Sequence, residues 1–372
     1  MTFDLTKRQL VLGGLAALAL PVAAQQLPPN VALPFYGPPD FMQGAWRRWY
    51  APRAQDFAQR AQALLAALSA QCAAPAGDTA ALAAARSAWG EAALALGRLS
   101  AVSVGPLLQR RTLRQIDFAP TRPELIRRAI AQMEAKAPAD VAALERIGTP
   151  AKGLPALEWL LWAQPAPSTA STASTAAGTP ACRYAQLLAE NVLAEAQALE
   201  QAFTALASAQ PDPDDEEASE AAAVAMSELV NQWVGGVERL RWPFMDKPLK
   251  SAPKGRPPAY PRAASGLSRG AWAAQWQGLR QLAVAPDNQA PEPGRDIVAL
   301  ETYMRGRGLN PLADRWVATV HKVDAAMAGA RPDAPASVQA ASRAVAGLKQ
   351  LAEAELAPAL NIRIGFSDAD GD

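Results

Sequence analysis

The chain has 372 residues, half of them hydrophobic, and its 36 basic and 35 acidic side chains leave a net charge of +1. That length supplies one large or two medium domains. Near neutrality argues against a nucleic-acid partner, whose phosphates demand a basic face, and a single histidine excludes every site built on two.

The first residues indicate export. Lys7 and Arg8 precede an apolar run from Leu10 to Leu20, and Pro21, Val22, Ala23 and Ala24 follow with the small residues a signal peptidase needs. The run is too short to span a bilayer and no second apolar segment backs it, so residues 1–24 read as a cleaved signal peptide, with a membrane-anchored N-terminus as the alternative. Thr6-Lys7-Arg8-Gln9-Leu10 also resembles a twin-arginine signal, and the absence of a following Cys argues against a lipoprotein. Cleavage leaves 348 residues (372 less 24), formally neutral and without a transmembrane segment. A periplasmic location follows. In that oxidising compartment Cys72 and Cys182 fit one disulfide.

Beyond residue 25 the apolar period is helical throughout. Phe57, Ala61, Leu64, Leu68 and Cys72 recur at three- and four-residue steps, and Leu82, Ala85, Trp89, Ala92, Leu96 and Leu99 do so more strictly. Residues 163–180 form a Ser/Thr/Ala/Pro tract without periodicity, read as a flexible linker. After it come stripes through Leu188, Val192, Leu199, Phe203 and Leu206, then Met226, Leu229, Trp233, Val237 and Leu240. The acidic, Pro-marked stretch from Pro211 to Glu220 favours a helix start behind it. Residues 243–261 carry Lys247, Lys250, Lys254 and Arg256 among prolines and read as a solvated crossover loop, with a basic docking surface as the other reading. Three more stripes close the chain: Trp272, Trp276, Leu279 and Leu282; Leu312, Trp316, Val320, Val323 and Met327; Val338, Ala341, Val345, Leu348 and Ala352. The pattern predicts an all-α protein of two helical bundles joined by a long loop, an N-terminal one over 25–162 and a C-terminal one over 181–372.

One segment carries chemistry. Gly153-Leu154-Pro155-Ala156-Leu157-Glu158, continuing into Trp159-Leu160-Leu161-Trp162, resembles the imelysin signature Gly-x-His-x-x-Glu, with Pro155 in the histidine's place. Trp89 through Gly105-Pro106, followed by Arg110, Arg111 and Arg114, is similar to that family's first-domain helix and turn. Ser265 and Ser268 resemble its second-domain Ser-x-x-Ser. Leu360 to Asp372, with Gly365-Phe366-Ser367 and Asp370-Gly371-Asp372, resembles its closing Gly-Phe-x-x-x-Asp-Gly-Asp. The pieces stand in family order across nearly all of the mature chain.

The resemblance implies a duplicated four-helix-bundle fold, a functional site near the signature, and a periplasmic or surface role in iron or haem acquisition. Some members carry a metallopeptidase label, resting on His and Glu three residues apart on one helix face, where both can reach one metal ion. Proline has no ligand atom, so that pair cannot form here. His321 lies roughly opposite the Leu312–Val323 stripe, by about 140° at 100° per residue, which predicts a surface side chain.

Simpler readings stand beside these. Gly153 followed by Pro155 is a common helix start, Pro fitting the first turn where its missing N–H is not needed. Glu158 then lies where a carboxylate is favourable anyway, with Leu157, Leu160 and Leu161 packing inward. Structural and ligand-contact roles for Glu158 both stay open. Asp368 to Asp372 lacks the length and the closing Glu of a calcium loop. The family pattern instead implies a tail folded back beside the Glu158 helix. The candidate ligand set is therefore Glu158, Arg111, Arg114, Ser367, Asp368 and Asp370, able to hold a hard cation through oxygens or a polar organic ligand. The expected activity is that of a binding protein without peptidase function, whose partner is a small polar ligand, a metal ion or an envelope protein and for which no resident cofactor is assigned. The alternatives are a metal-dependent hydrolase using Glu158 with acidic tail residues, and a purely structural envelope protein.

Overall fold

The computed structural model describes residues 33–365 apart from 76, 136–140, 163–177, 211, 213 and 287–289. Among the described residues there is no strand. The helices are α1 Pro38–Ala45, α2 Ala51–Ala73, α3 Thr79–Leu99, α4 Pro106–Gln109, α5 Thr112–Ile116, α6 Pro123–Ala135, α7 Gly153–Trp162, α8 Pro180–Ser208, α9 Glu216–Arg241, α10 Lys247–Ser251, α11 Ser268–Ala283, α12 Leu300–Gly306, α13 Asn310–Gly329, α14 Pro335–Leu351 and α15 Ala357–Ala359. No helix among these residues is long and apolar enough to cross a membrane.

The apolar stripes decide the packing. Every stripe position is buried except Cys72, Leu82 and Leu206, which sit at helix ends where the core thins. α2 lies between α3 and α8, with α6 and α7 against α8 and α7 also against α3. α9, α11, α13 and α14 form a second group, and α3 on α11 and α1 on α9 join the two. The helices therefore do not divide where the Ser/Thr/Ala/Pro tract suggests. α8 stands with the helices before the tract, because its stripe of Leu188, Val192, Leu199 and Phe203 is covered by α2. Its first turn is also bonded to the end of α2 through the Cys72–Cys182 disulfide, with the two Cα atoms 5.8 Å apart.

Prolines bend the long helices at set points. π-turns over Trp46–Tyr50, Trp242–Asp246 and Ala352–Leu356 are followed two residues later by Pro52, Pro248 and Pro358. Each proline lacks the N–H of a helical bond and its ring would press on the carbonyl four residues back. The wider turn relieves that contact, and the residue before each proline donates five positions back instead (Ala51 to Trp46, Lys247 to Trp242, Ala357 to Ala352). This corrects the crossover reading for 243–261: its first part, Trp242–Ser251, continues α9 as helix.

Three indoles converge on one helix end. Trp49, Trp233 and Trp316 are fully buried and donate to the carbonyls of Gly278 (3.1 Å), Leu279 (2.9 Å) and Ala283 (2.9 Å), near the C-terminus of α11. Ala283 is the last residue of α11 and its carbonyl has no intrahelical donor, so the Trp316 indole supplies one, while Trp49 and Trp233 fill the core and bond carbonyls within the last two turns. α11 is thereby fixed from α9, from α13 and from the turn before α2.

The disulfide closes a span of 110 residues, worth about 4 kcal/mol in the loop-entropy treatment. Replacing both cysteines by serine should leave the helical content intact and lower the thermal midpoint by several degrees. Reduction of the native protein should change intact mass by two hydrogens. An unchanged midpoint would mean that the α2–α8 packing alone sets the stability there.

Candidate functional site

The signature segment is held from all sides. Gly153 opens α7 in the left-handed region (φ +69°), and a Cβ there would lie 2.1 Å from the carbonyl oxygen of Ile116 at the end of α5. Only glycine meets both conditions. Trp89 donates to the Leu154 carbonyl (2.9 Å), Tyr184 to Ala151 (2.5 Å), and Arg86 reaches the Leu161 carbonyl through Nε (2.9 Å) and Nη2 (2.6 Å). α3 and α8 thus fix the start of α7 and cap its end.

This rigid seat buries Glu158, and a buried carboxylate requires partners. Oε1 accepts from the Ser265 backbone N–H (3.0 Å) and hydroxyl (2.7 Å), and Oε2 faces Arg262 Nη1 at 3.7 Å. Arg262 also donates to Asp117, and its guanidinium lies over the Trp89 ring, 5.3 Å from the centroid. Arg262 has left-handed backbone (φ +64°), and the loop behind it turns back through bonds from Leu267 N–H to the Arg262 carbonyl and from Ser268 Oγ to the Pro261 carbonyl. Residues 261–268 form a clasp carried by the second helix group and closed on the first.

Arg239 of α9 completes the network. It donates to the Ser100 carbonyl and to Gln275 Oε1, and Asp117 is its charge partner. Desolvation pushes the Arg239 guanidinium down to about 10, so it stays protonated at neutral pH. Burial likewise raises the Asp117 carboxyl, against the opposing pull of Arg262 and Arg239. Two carboxylates and two guanidiniums therefore meet at the junction of the two helix groups with their charges balanced.

A second pair joins the end of α4 to α8. Arg110 takes Glu195 with Nε at 3.1 Å from both oxygens and Nη2 at 2.7 Å, and Thr112 donates to the same carboxylate at 2.6 Å. Arg111 follows with φ +52°, and this left-handed residue turns the chain between α4 and α5.

The candidate ligand set is thus distributed. Glu158 sits in the junction network. Arg111 and Arg114 are exposed on the α4–α5 end, and their side chains have no hydrogen-bond or ion-pair partner among the described residues. Ser367, Asp368 and Asp370, like the signal-peptide segment 1–24, lie outside the described residues. Trp159 and Trp162 are half-buried beneath Arg127 (5.6 Å to the ring centroid) and Arg86 (5.2 Å). His321 is half-buried rather than fully exposed, and its Nε2 is buried without a partner among the described residues.

Asp117, Arg239, Arg262 and Glu195 were not expected at a site. Glu195 had a signal, a charge one turn from Val192 and Leu199 inside the apolar stripe of α8. Gly235-Gly236 before Arg239 marked a close approach, since a Cβ on Gly236 would lie 2.0 Å from the Ala101 oxygen. Asp117 and Arg262 had none, their meeting depending on chain segments 145 positions apart.

Two measurements check this geometry. Gly153→Ala should destabilise by roughly 3 kcal/mol or more, while Gly255→Ala, equally left-handed (φ +80°) but with open space around it, should cost only about 1 kcal/mol. In a double-mutant cycle of Asp117→Ala and Arg262→Ala, each single change should cost about 2–3 kcal/mol and the pair less than the sum by at least about 1 kcal/mol. Strict additivity would remove the ion pair from the account of the junction.

Comparison with known proteins agrees with this architecture. The family model described as Imelysin (peptidase M75) matches residues 50–360. The crystal structure of an imelysin-like protein from Psychrobacter arcticum 273-4 superposes with a TM-score of 0.69 at 20% identity, covering 90% of this chain and 100% of the other. That of a protein provisionally assigned as an iron-regulated protein A precursor, from Parabacteroides distasonis ATCC 8503, gives 0.63 at 15% identity over 85% and 93%. At such identities the likeness is one of fold. No curated protein matches the chain. With a match across most of its length, and with a glycine-started helix whose glutamate is gripped by the Ser-x-x-Ser loop, the chain belongs to the imelysin family.

Proposed function

We propose that this chain is an exported imelysin-like binding protein of the cell envelope, serving an iron- or haem-acquisition system without peptidase activity. The observation that carries the reading is the state of the signature. Pro155 is buried where the motif has its histidine, and the Glu158 carboxylate is committed to Ser265 and Arg262. Among the described residues no three His, Cys, Asp or Glu side chains come together as a metal site. A glutamate that fastens a loop from the other helix group does structural work that outlasts the loss of its motif partner. The name of the Parabacteroides relative supports the link to iron.

The ligand surface in this reading lies at the α4–α7 end. Arg111 and Arg114 supply charge-assisted donors there, Glu158 Oε2 keeps acceptor capacity beyond its one partner at 3.7 Å, and Ser367, Asp368 and Asp370 complete the set. These groups suit a hard cation held through oxygens or a polar organic ligand, and no step of bond cleavage is assigned to them.

The purified protein should contain no stoichiometric zinc and should show no Soret band that titrates to an endpoint with haem. Either result would overturn the reading. Pro155→His should create a zinc site absent from the native protein, because residues 155 and 158 share one face of α7. That gain should vanish in Pro155→His combined with Glu158→Gln.

A further inference from the structure

We propose that Tyr260 and Trp272 form a buried subsite at the base of the 261–268 clasp, which takes the carbonyl or carboxylate oxygen of a small organic molecule through the phenol hydroxyl and the indole N–H. The inference goes beyond the reading above and depends neither on iron nor on the residue at position 155.

The first argument is the pattern of hydrogen bonds made by the other buried aromatics. A buried indole or phenol has given up its water and needs a partner inside the fold. Trp49, Trp233 and Trp316 find carbonyls on α11, Trp89 finds that of Leu154, and Trp276 finds the Asp324 carboxylate. Tyr36, Tyr50 and Tyr184 donate to the carbonyls of Pro291, Val102 and Ala151, and the Tyr303 hydroxyl meets Arg307. Tyr260 and Trp272 depart from this rule. They are 5% and 1% exposed, and the Tyr260 hydroxyl and the Trp272 indole nitrogen are both buried with no hydrogen-bond partner among the described residues. The two exceptions are also neighbours, their rings meeting edge to face with centroids 5.0 Å apart and planes at 84°. An indole N–H resting on the phenol face would provide for Trp272 and still leave the Tyr260 hydroxyl unmet.

Position is the second argument. Tyr260 immediately precedes the clasp, and Trp272 stands one turn into α11 beyond Ser268. The Ser268 hydroxyl donates to the Pro261 carbonyl (2.8 Å), which draws the two ends of the loop together. The unmet groups therefore flank the base of the loop that holds Glu158 through Ser265. A molecule bound there touches both ends of the clasp at once.

Chemistry gives the class of occupant. The indole can only donate, and burial raises the Tyr260 phenol above its ordinary range, which keeps its proton in place. Two neutral donors against an aromatic wall call for acceptor oxygen. A carbonyl or a carboxylate supplies it with two lone pairs on each oxygen; a cation does not. The same donors would accept an ordered water, and the experiment separates the two occupants.

Nuclear magnetic resonance of the full chain, with tryptophan indoles labelled with nitrogen-15, reads the subsite directly. The Trp272 indole resonance is identified by its loss in Trp272→Phe, or in the native protein by cross-relaxation with the Tyr260 ring. Titration with sodium acetate and with acetamide, against sodium chloride at matched ionic strength, should shift that resonance saturably in the millimolar range. A response to acetate alone assigns a carboxylate, and a response to acetamide assigns a carbonyl. Tyr260→Phe should weaken the response at least about tenfold, the effect of removing one hydrogen bond from a buried site. The Trp49, Trp233 and Trp316 resonances should keep their positions in that variant, which shows that the core is intact. A Trp272 resonance that follows sodium chloride alone overturns the proposal and leaves an ordered water as the occupant. A native-like titration in Tyr260→Phe overturns it too. No readout involves zinc, haem or position 155, so the failure of this subsite and the failure of the iron reading are told apart.

Discussion

The burial of one carboxylate organises this protein. Glu158 is carried inside by α7, whose first residue lies against the Ile116 backbone, whose approach and start are held by Tyr184 and Trp89, and whose end is held by Arg86. A carboxylate in that position has to be met by donors, and they come from the loop leading into α11, 107 positions on in the chain. Ser265 answers Glu158, and Arg262 answers Glu158 and Asp117 together. The contact that satisfies the carboxylate therefore adds a polar tie to the α3–α11 and α1–α9 packing that joins the two helix groups.

α11 is well placed to bear that contact. Its N-terminal end follows the clasp, and its C-terminal carbonyls are taken by indoles from three other parts of the chain. Gly278 lets α3 approach so closely that a Cβ would meet the Arg98 oxygen at 2.7 Å, and Gly236 does the same for α9 against Ala101. Such approaches replace side-chain contact with backbone contact, which leaves little freedom to slide. The carboxylate–guanidinium network around Arg239 lies at this close-packed junction.

The α4–α5 end differs in kind. Its arginines stand on short helices separated by a left-handed residue, and one guanidinium is drawn in to Glu195 while the next is turned out. Charges at the junction balance within the fold; charges at this end do not. The exposed guanidiniums of Arg111 and Arg114 thus contrast with the buried Glu158 carboxylate, which Ser265 and Arg262 hold.

The sequence determined the helices and their buried faces. Stripes at three- and four-residue spacing place Leu96, Trp233 or Val345 in the core with no further information, because the period of an apolar face depends only on helix geometry. It determined the signature helix too, through Gly153 and Pro155, and it made the Cys72–Cys182 pair readable as a disulfide from the count of two. Only the tertiary structure decided which helices belong together, since the Ser/Thr/Ala/Pro tract looks like a boundary and α8 folds back across it onto α2. It alone brought Asp117 to Arg262 and left Arg110 paired while Arg111 and Arg114 face outward. A pairing of charges distant in the chain leaves no period and no spacing to read; it exists once the packed helices have fixed where each backbone lies.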